Sequence, residues 1–551
     1  MQVAKLISLV EDKKVDFFHT VMGEAYVVVP VGNHNELYPI KSADCENWLQ
    51  SLFYNNEKVA LTNSARNEVM SNLEARARFG NSEHGNNEPV TLYNRVAKVN
   101  NDFWYDLTNP TRQAVEITKE GWNVKQPPTL FKRYTHHITQ VMPERGGNVW
   151  DIFNYIPLKK NKLLFLCWLT TCFIPDIPHP LTVFYGEQGA AKTTTNLIIR
   201  SLVDPSMMET MKLQTDLRSL HVNLQQNWFL PFDNVSKISC DVSDELCKGI
   251  TGDAISDRQL YTNDRSVIFK YMRCMSINGI NNVVLRPDLL DRSILFHIDR
   301  ISEENRKELS KIKGEFAQSK PKILGGIMDT LVDALKIYPT VELKDLPRMA
   351  DFTRWGYAIA EALGGTGQQF LDEYEETRKN QNEEVIDADP IASLMLDFMN
   401  DRTEWSGKVS DLHTELSNLA LKQNINTRSK KFPTQPNQLS RHMKSIISNL
   451  KVAGIQYISN GHTRTGTMIN LTRIIDPETP KVPEDTNPHE IINDVVIKID
   501  NDAAIKVDAD ITESPEVKAH PEVPETIIAA PKNTRPAKTP AASKQPEQEA
   551  V

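Results

Sequence analysis

The chain has 551 residues, 40% hydrophobic and 25% charged, which suits a soluble globular protein of three or four domains. Its net charge of −9 is uneven: residues 476–551 hold 16 acidic and 8 basic side chains, leaving only −1 for residues 1–475. The pI of 5.9 therefore belongs mostly to the C-terminal stretch and does not exclude nucleic-acid binding by the rest.

Residues 1–148 read as an accessory α+β domain. EAYVVVP, DFWYDLT and AVEIT are strand-like, and DCENWLQSLFYNN and SARNEVMSNLEARARF are helix-like. None carries a catalytic spacing. His136 and His137 are adjacent, so on a strand they face opposite ways and take surface positions. Asp102 and Asp106 in NDFWYD are expected in a surface turn and strand, which leaves priming chemistry without an acidic cluster. The opening MQVAKLISLVEDKK has too short an apolar run for a signal-peptide core. The longest apolar run, Leu163 to Ile174, has 12 residues against the ~20 that span a bilayer, so a buried helix is expected and no membrane partner. The six cysteines form no CxxC pair, which fits a reducing cytoplasm.

Residues 149–301 alternate buried helix, strand, glycine loop and helix, an α/β pattern. LTVFY is a short apolar strand, GEQGAAK a loop and TTTNLIIRSL a helix. A strand, glycine loop and helix ending in Lys-Thr wraps backbone N–H groups around a triphosphate and adds the positive end of the helix dipole. Gly186, Glu187, Gln188, Gly189, Ala190, Ala191, Lys192, Thr193 and Thr194 are the candidate ATP-binding residues. Lys192 is placed to contact the β- and γ-phosphates and Thr193 to ligate Mg²⁺. The pattern expects glycine at Ala191; if that residue needs positive φ, alanine costs on the order of 1 kcal/mol. FLPFDN then sets Asp233 at the end of an apolar run, where a carboxylate can hold the magnesium shell. Asn234 follows, able to orient water but not to accept a proton. A third strand, YMRCMSINGI, ends in Asn278, an amide able to report the γ-phosphate. Arg286 and Arg292 come next; an arginine near an interface edge can reach a neighbour's γ-phosphate. RQLYT and RSVIFKY flank Asn263-Asp264, a hairpin signal. A plain surface hairpin reads equally well there.

Residues 302–385 are helical. Residues 386–475 form a small domain that is basic, with 10 Lys and Arg against 2 acidic residues between Trp405 and Ile475. KVSDLHTELSNLALKQ and QPNQLSRHMKSIISNLKVAG are helices, and IQYIS and TMINLTRI are strands around NGHTRTG. Two helices and a hairpin with a glycine-rich tip make a winged-helix pattern. Leu439, Met443, Ile446, Ile447 and Leu450 are its expected core, with Arg441, His442, Lys444 and Lys451 near the other face. The charge favours DNA over a protein partner. Residues 476–551 carry 11 of the 31 prolines and no Gly, Phe, Trp or Tyr, and read as a disordered acidic tail.

Together, GEQGAAKTT, FLPFDN, DELCKGITGDAISDRQLYTNDRSVIF, MSINGI and LLDRSILFHI resemble the compact ATPase core of superfamily III helicases, the AAA+-type motors of phages, plasmids and DNA viruses, including phage-plasmid primase–helicases. The resemblance covers roughly residues 145–475, KDLPRMADFTRW included. It implies a P-loop AAA+-type fold and an ATP- and Mg²⁺-dependent DNA helicase or replication ATPase of a mobile element. It further implies a homo-oligomer, a hexameric ring. It makes Lys192 and Thr193 the Walker A pair, Asp233 the Walker B acid, Asn278 sensor 1 and Arg292 the arginine finger, with Asn234 and Ala191 as departures. The inserted hairpin grips single-stranded DNA in that family, which makes Lys248, Arg258, Arg265 and Lys270 candidate phosphate contacts. Lys430, Lys431, Arg441, Lys444 and Arg464 are candidates in the small domain. An ATP-gated DNA-binding initiator that does not unwind is the competing reading.

Overall fold

The computed structural model describes residues 1–32, 34–80, 88–258, 266–270, 272–429, 432–463 and 466–474, with backbone alone at 254–258, 266–270, 388, 460–463 and 466. The expected tail lies outside the described residues. So do Asn263, Asp264, Arg265, Lys430, Lys431 and Arg464.

The first module holds α1 (Gln2–Asp12), β1 (Asp16–His19), β2 (Ala25–Val31), β3 (His34–Pro39), α2 (Ala43–Glu57) and α3 (Asn63–Phe79). Its strands pair antiparallel in the order β1-β2-β3. The period of two along β2 separates two apolar layers: Val27 and Val29 pack against the helices, while Tyr26 and Val28 join Phe18 on the other face. Ser42 and Thr62 cap α2 and α3 by accepting from the N–H groups of Cys45 and Ala65.

A four-stranded antiparallel meander follows: β4 (Val96–Val99), β5 (Asp102–Asp106), β6 (Ala114–Ile117) and β7 (Trp122–Lys125). After a 3₁₀ turn (Val149–Asn154) come α4 (Lys162–Thr171), β8 (Leu181–Tyr185), α5 (Lys192–Val203), α6 (Leu217–Gln226), β9 (Phe229–Phe232) and α7 (Cys240–Thr251). Next are an antiparallel pair β10 (Ala254–Arg258) and β11 (Ser266–Lys270), then β12 (Cys274–Gly279), α8 (Pro287–Leu290) and β13 (Ser293–His297). Strands β13-β8-β12-β9 form a parallel sheet in that order. Its strands are near-continuous apolar runs because both faces are covered. Every residue of α4 from Leu163 to Thr171 is buried, which accounts for the longest apolar run. Among the described residues no helix is long and apolar enough to cross a membrane.

Helices α9 (Leu309–Ile337), α10 (Ala350–Ala362) and α11 (Gly367–Ala388) complete this body. Its core is continuous from Val96 to Val385, across the boundaries expected at 148 and 301. Phe103 of β5 packs on Trp355 of α10, and the Trp122 indole donates to Asp329 of α9 at 2.7 Å. Gly325 permits this closeness, since a Cβ there would lie 1.7 Å from the Glu144 carbonyl oxygen.

The C-terminal module has its own core, from Ile386 to Leu471. It contains α12 (Pro390–Asn400), β14 (Glu404–Lys408), α13 (Val409–Lys422), α14 (Pro436–Val452), β15 (Ile455–Thr463) and β16 (Gly466–Arg473), with the antiparallel order β14-β16-β15. Helix α12 and strand β14 add to the two helices and two strands expected. Ile447 is a correction: it is 36% exposed, because Leu439, Met443, Ile446 and Leu450 fill the stripe facing the core. Asn382 and Asn449 exchange reciprocal bonds that tie α14 to α11.

Candidate functional site

Strand β8 delivers the chain to the loop at Gly186, whose φ is 143°. A Cβ there would lie 2.2 Å from the Ile298 carbonyl oxygen, so only glycine fits. Gly189 has φ 82°, and Ala191 sits in the left-handed region at φ 57° and ψ 25°, immediately before α5. The alanine thus occupies the conformation glycine would favour and carries the strain expected of it. Glu187, Gln188 and Gly189 are exposed and Ala190 is buried. The first N–H groups of α5, from Lys192 through Thr194, lack intrahelical acceptors and face the loop's end of the helix. The Lys192 ammonium donates to the carbonyls of Gly186 at 2.6 Å and Glu187 at 2.7 Å. Desolvation lowers its pKa, and the Asp233 carboxylate opposes that shift.

Strand β9 ends at Phe232, which puts Asp233 at the same edge of the sheet. The Thr193 hydroxyl donates to Asp233 Oδ1 at 2.9 Å, and the Asn278 amide N–H donates to the same oxygen. Asn278 Oδ1 accepts from the backbone N–H of Asn234 at 2.6 Å. Strand β12, between β8 and β9, carries Asn278 there by pairing it with Phe184. Both ends of this amide are engaged and the residue is 2% exposed, so its orientation is fixed. Asn234 has φ 53° and is exposed. The arrangement brings together Lys192, Thr193, Asp233, Asn234 and Asn278.

Arg292 is not brought to this cluster. Its carbonyl accepts from Leu181 N, the first residue of β8, so it lies at the opposite end of the sheet, about 15 Å away by strand rise. Its guanidinium is bound by Asp288, through the carbonyl at 2.7 Å and the carboxylate at 2.6 Å, and the side chain is only 11% exposed. Arg286, 42% exposed, pairs with Asp244. Arg348 bridges Asp288 and Asp291.

The candidate DNA contacts scatter. Lys248 pairs with Glu245 one helical turn away at 2.7 Å. Arg258 opposes Ser266 and Lys270 opposes Ala254, so these two stand at opposite ends of the β10–β11 pair. Arg441 and Lys444 are exposed on α14 and have no ion-pair partner among the described residues. His442 faces inward instead, bonded to Asp389 at 2.8 Å, where Asp389 also caps α12.

Two further expectations are corrected. Asp106 is buried, not on a surface, and its carboxylate is held by Arg133. His136 and His137 do not diverge on a strand: their rings meet edge to face at 4.7 Å, and His137 bonds the Gln226 carbonyl. Burial pushes the pKa of His137 down to about 4.

Behind the site lies a charge cluster without a sequence signature. Asp204, after α5, receives Arg95 Nε at 2.8 Å and Arg200 Nη1 at 2.8 Å, all three side chains being buried. It also accepts from the N–H groups of Trp228 and Phe229 at the start of β9. Burial alone would raise the Asp204 pKa, but the two guanidiniums hold it below the usual carboxylate range.

Residues 150–383 match the family model of the actinomycete integrative conjugative element replication protein, and residues 391–484 match the RepA C-terminal domain of the same elements. The matches indicate a mobile-element replication protein. That agrees with the replication and mobile-element part of the resemblance seen in the sequence. No curated relative matches the chain. Among solved structures, the A form apo structure of the NrS-1 C-terminal region has 12% identity and a TM-score of 0.38, covering 85% of this chain and 99% of that one. A second apo structure of the same region gives 12% identity and 0.37, covering 85% and 98%.

Proposed function

We propose that this RepA-like chain is an ATP-dependent DNA helicase of mobile-element replication, with a P-loop AAA+-type core and a C-terminal winged helix. The observation that carries the reading is the convergence on Asp233 Oδ1 of the Thr193 hydroxyl and the Asn278 amide, beside a loop ending in Lys192. Thr193 and Asp233 are the hydroxyl and carboxylate that suit a shared Mg²⁺, and the loop amides suit phosphates. Bound Mg-ATP supplies the phosphoanhydride whose cleavage by water drives the cycle. Lys192 turns from the loop carbonyls to the phosphates. Asn278 keeps the Asp233 carboxylate and the Asn234 N–H in register. Asn234 orients water but cannot take its proton, so the base is another group. Arg292 acts from the neighbouring copy of a ring, and Asp288 must release it first. Arg441 and Lys444 on α14 bind the DNA backbone, with Arg258 and Lys270 on the β10–β11 pair as additional contacts.

ATP turnover with and without single-stranded DNA tests the reading, alongside strand displacement. Lys192→Ala is expected to abolish both. Turnover that ignores DNA and survives Lys192→Ala would sink it. A second reading, an ATP-gated initiator that binds DNA without unwinding, is favoured by Asn234 standing where a glutamate would polarise water. Nucleotide-dependent filter binding without strand displacement would select it.

A further inference from the structure

We infer that Arg306 contacts the phosphates of a nucleotide held in the loop of its own subunit, an inference that rests on the ATP-binding reading of residues 186–194. After β13, the chain turns back along the loop. Ile298 N donates to the Tyr185 carbonyl at 2.9 Å, and the Ile298 carbonyl oxygen occupies the space that a Cβ on Gly186 would need. Ile301 N then approaches the Gly189 carbonyl at 3.4 Å. A 3₁₀ turn, Glu303–Asn305, follows and presents Arg306. A Cβ built on Gly189 would lie 3.2 Å from Arg306 Nη2, so the guanidinium stands directly over the loop.

The neighbouring cations behave differently. Lys307 pairs with Glu315 and Lys313 with Glu209. The Arg306 backbone N–H donates to the Glu303 carbonyl, but its guanidinium has no hydrogen-bond or ion-pair partner among the described residues. A cation without a counter-ion, held against a loop of N–H groups, raises the local potential where an anion would bind. The charge balance of the site points the same way. Lys192 and Asp233 cancel, yet a magnesium-bound triphosphate remains negative, and Arg306 supplies the further positive charge. Guanidinium geometry also suits bidentate contact with phosphate oxygens. Arg306 lies three residues before α9, so a phosphate contact would couple nucleotide occupancy to that helix.

The test is equilibrium binding of fluorescent ATP with Mg²⁺ to the full chain, for the wild type and Lys192→Ala, Arg306→Ala, Arg306→Lys and Arg300→Ala. Arg300 is an exposed arginine of the same connector and serves as the control. Arg306→Ala is expected to raise Kd at least about tenfold, as for loss of one charge-assisted bond. Arg306→Lys should keep part of the affinity, and Arg300→Ala should stay within about twofold of wild type on the same scale. The nucleotide-free Tm of Arg306→Ala should equal that of wild type, separating ligand contact from folding. If wild type binds, Lys192→Ala does not, and Arg306→Ala binds as wild type does, Arg306 has no such role while the loop reading stands. An equal loss in Arg300→Ala would also overturn it, by making the effect one of general charge. If wild type binds no ATP, the loop reading fails and takes this inference with it.

Discussion

Replacing Asp204 by asparagine keeps the shape of the side chain and removes its charge from a place where two buried guanidiniums converge. Arg95 and Arg200 each approach a different carboxylate oxygen at 2.8 Å, and Oδ2 also accepts from Trp228 N and Phe229 N. An asparagine has one acceptor oxygen, so even in its better orientation its NH₂ must face the Arg95 Nε–H, donor against donor. Neutralising one partner of a buried ion pair costs about 3–5 kcal/mol. Here two guanidiniums lose their counter-ion, so Asp204→Asn is expected to destabilise by at least the lower end of that range, a large part of a typical domain's stability. Urea unfolding of the full chain, followed by tryptophan fluorescence, measures it. Adding Arg95→Met to Asp204→Asn removes one uncompensated charge and should recover part of the loss. Because the folded pKa of Asp204 lies below its unfolded value, the carboxylate's contribution is present above about pH 4 and is lost as pH falls toward the folded pKa. Asp204→Asn should therefore flatten the acid limb of the stability profile. A loss under about 1 kcal/mol would refute the claim that this carboxylate balances two buried cations.

Gly186→Ala should displace the loop and abolish labelled-ATP binding, because its Cβ would lie 2.2 Å from a backbone carbonyl oxygen; undiminished binding would contradict that fit. At Ala191, held at φ 57°, valine should lower stability by about 1–2 kcal/mol more than alanine does, since a β-branched side chain resists the left-handed region. Ala191→Gly should change Tm little, its steric relief offset by greater unfolded-state entropy. Arg441→Ala and Lys444→Ala should each reduce the slope of log affinity against log salt by about 1 for duplex DNA, while Lys248→Ala, already engaged by Glu245, leaves it unchanged.

The loop at residues 186–191 was legible as a structure because every signal in it is local: an apolar strand, glycines at the tight positions, Lys-Thr at the helix start. Asp233 and Asn278 were legible for a related reason, since each ends a buried parallel strand and such strands deliver their C-terminal residues to one edge. What escaped depends on distant pairs. Arg95 and Asp204 are 109 residues apart and neither stands in a motif, so the continuity of the core across residue 148 left no trace in the sequence. Arg306 lies in ISEENRKEL, an ordinary charged stretch that matters only because the chain doubles back over the loop. Strand β14 was missed because EWSGK lacks alternation, and pairing with β16 alone makes it a strand. Ile447 was misplaced because an apolar residue one step from Ile446 turns by about 100° away from the buried stripe.

The buried cluster also constrains how the site can respond to a ligand. Helix α5 begins at the loop and ends beside Asp204, whose carboxylate accepts from the start of β9, the strand that carries Asp233. Arg200, on the last turn of α5, donates to the Phe229 carbonyl and to Asn227 as well. The helix and the acid-bearing strand are therefore clamped at the end remote from the glycine loop, and sliding one against the other would break charged bonds in a dry interior. The adjustable parts are those without such a clamp: the Lys192 side chain, the left-handed positions at Gly189 and Ala191, and the exposed connector that bears Arg306. Ligand-dependent change should thus be read in the connector and in α9, and hydrogen exchange across residues 298–312 with and without nucleotide is the direct measurement. Protection gained in α5 and β9 but not in that segment would contradict this division between clamp and moving part.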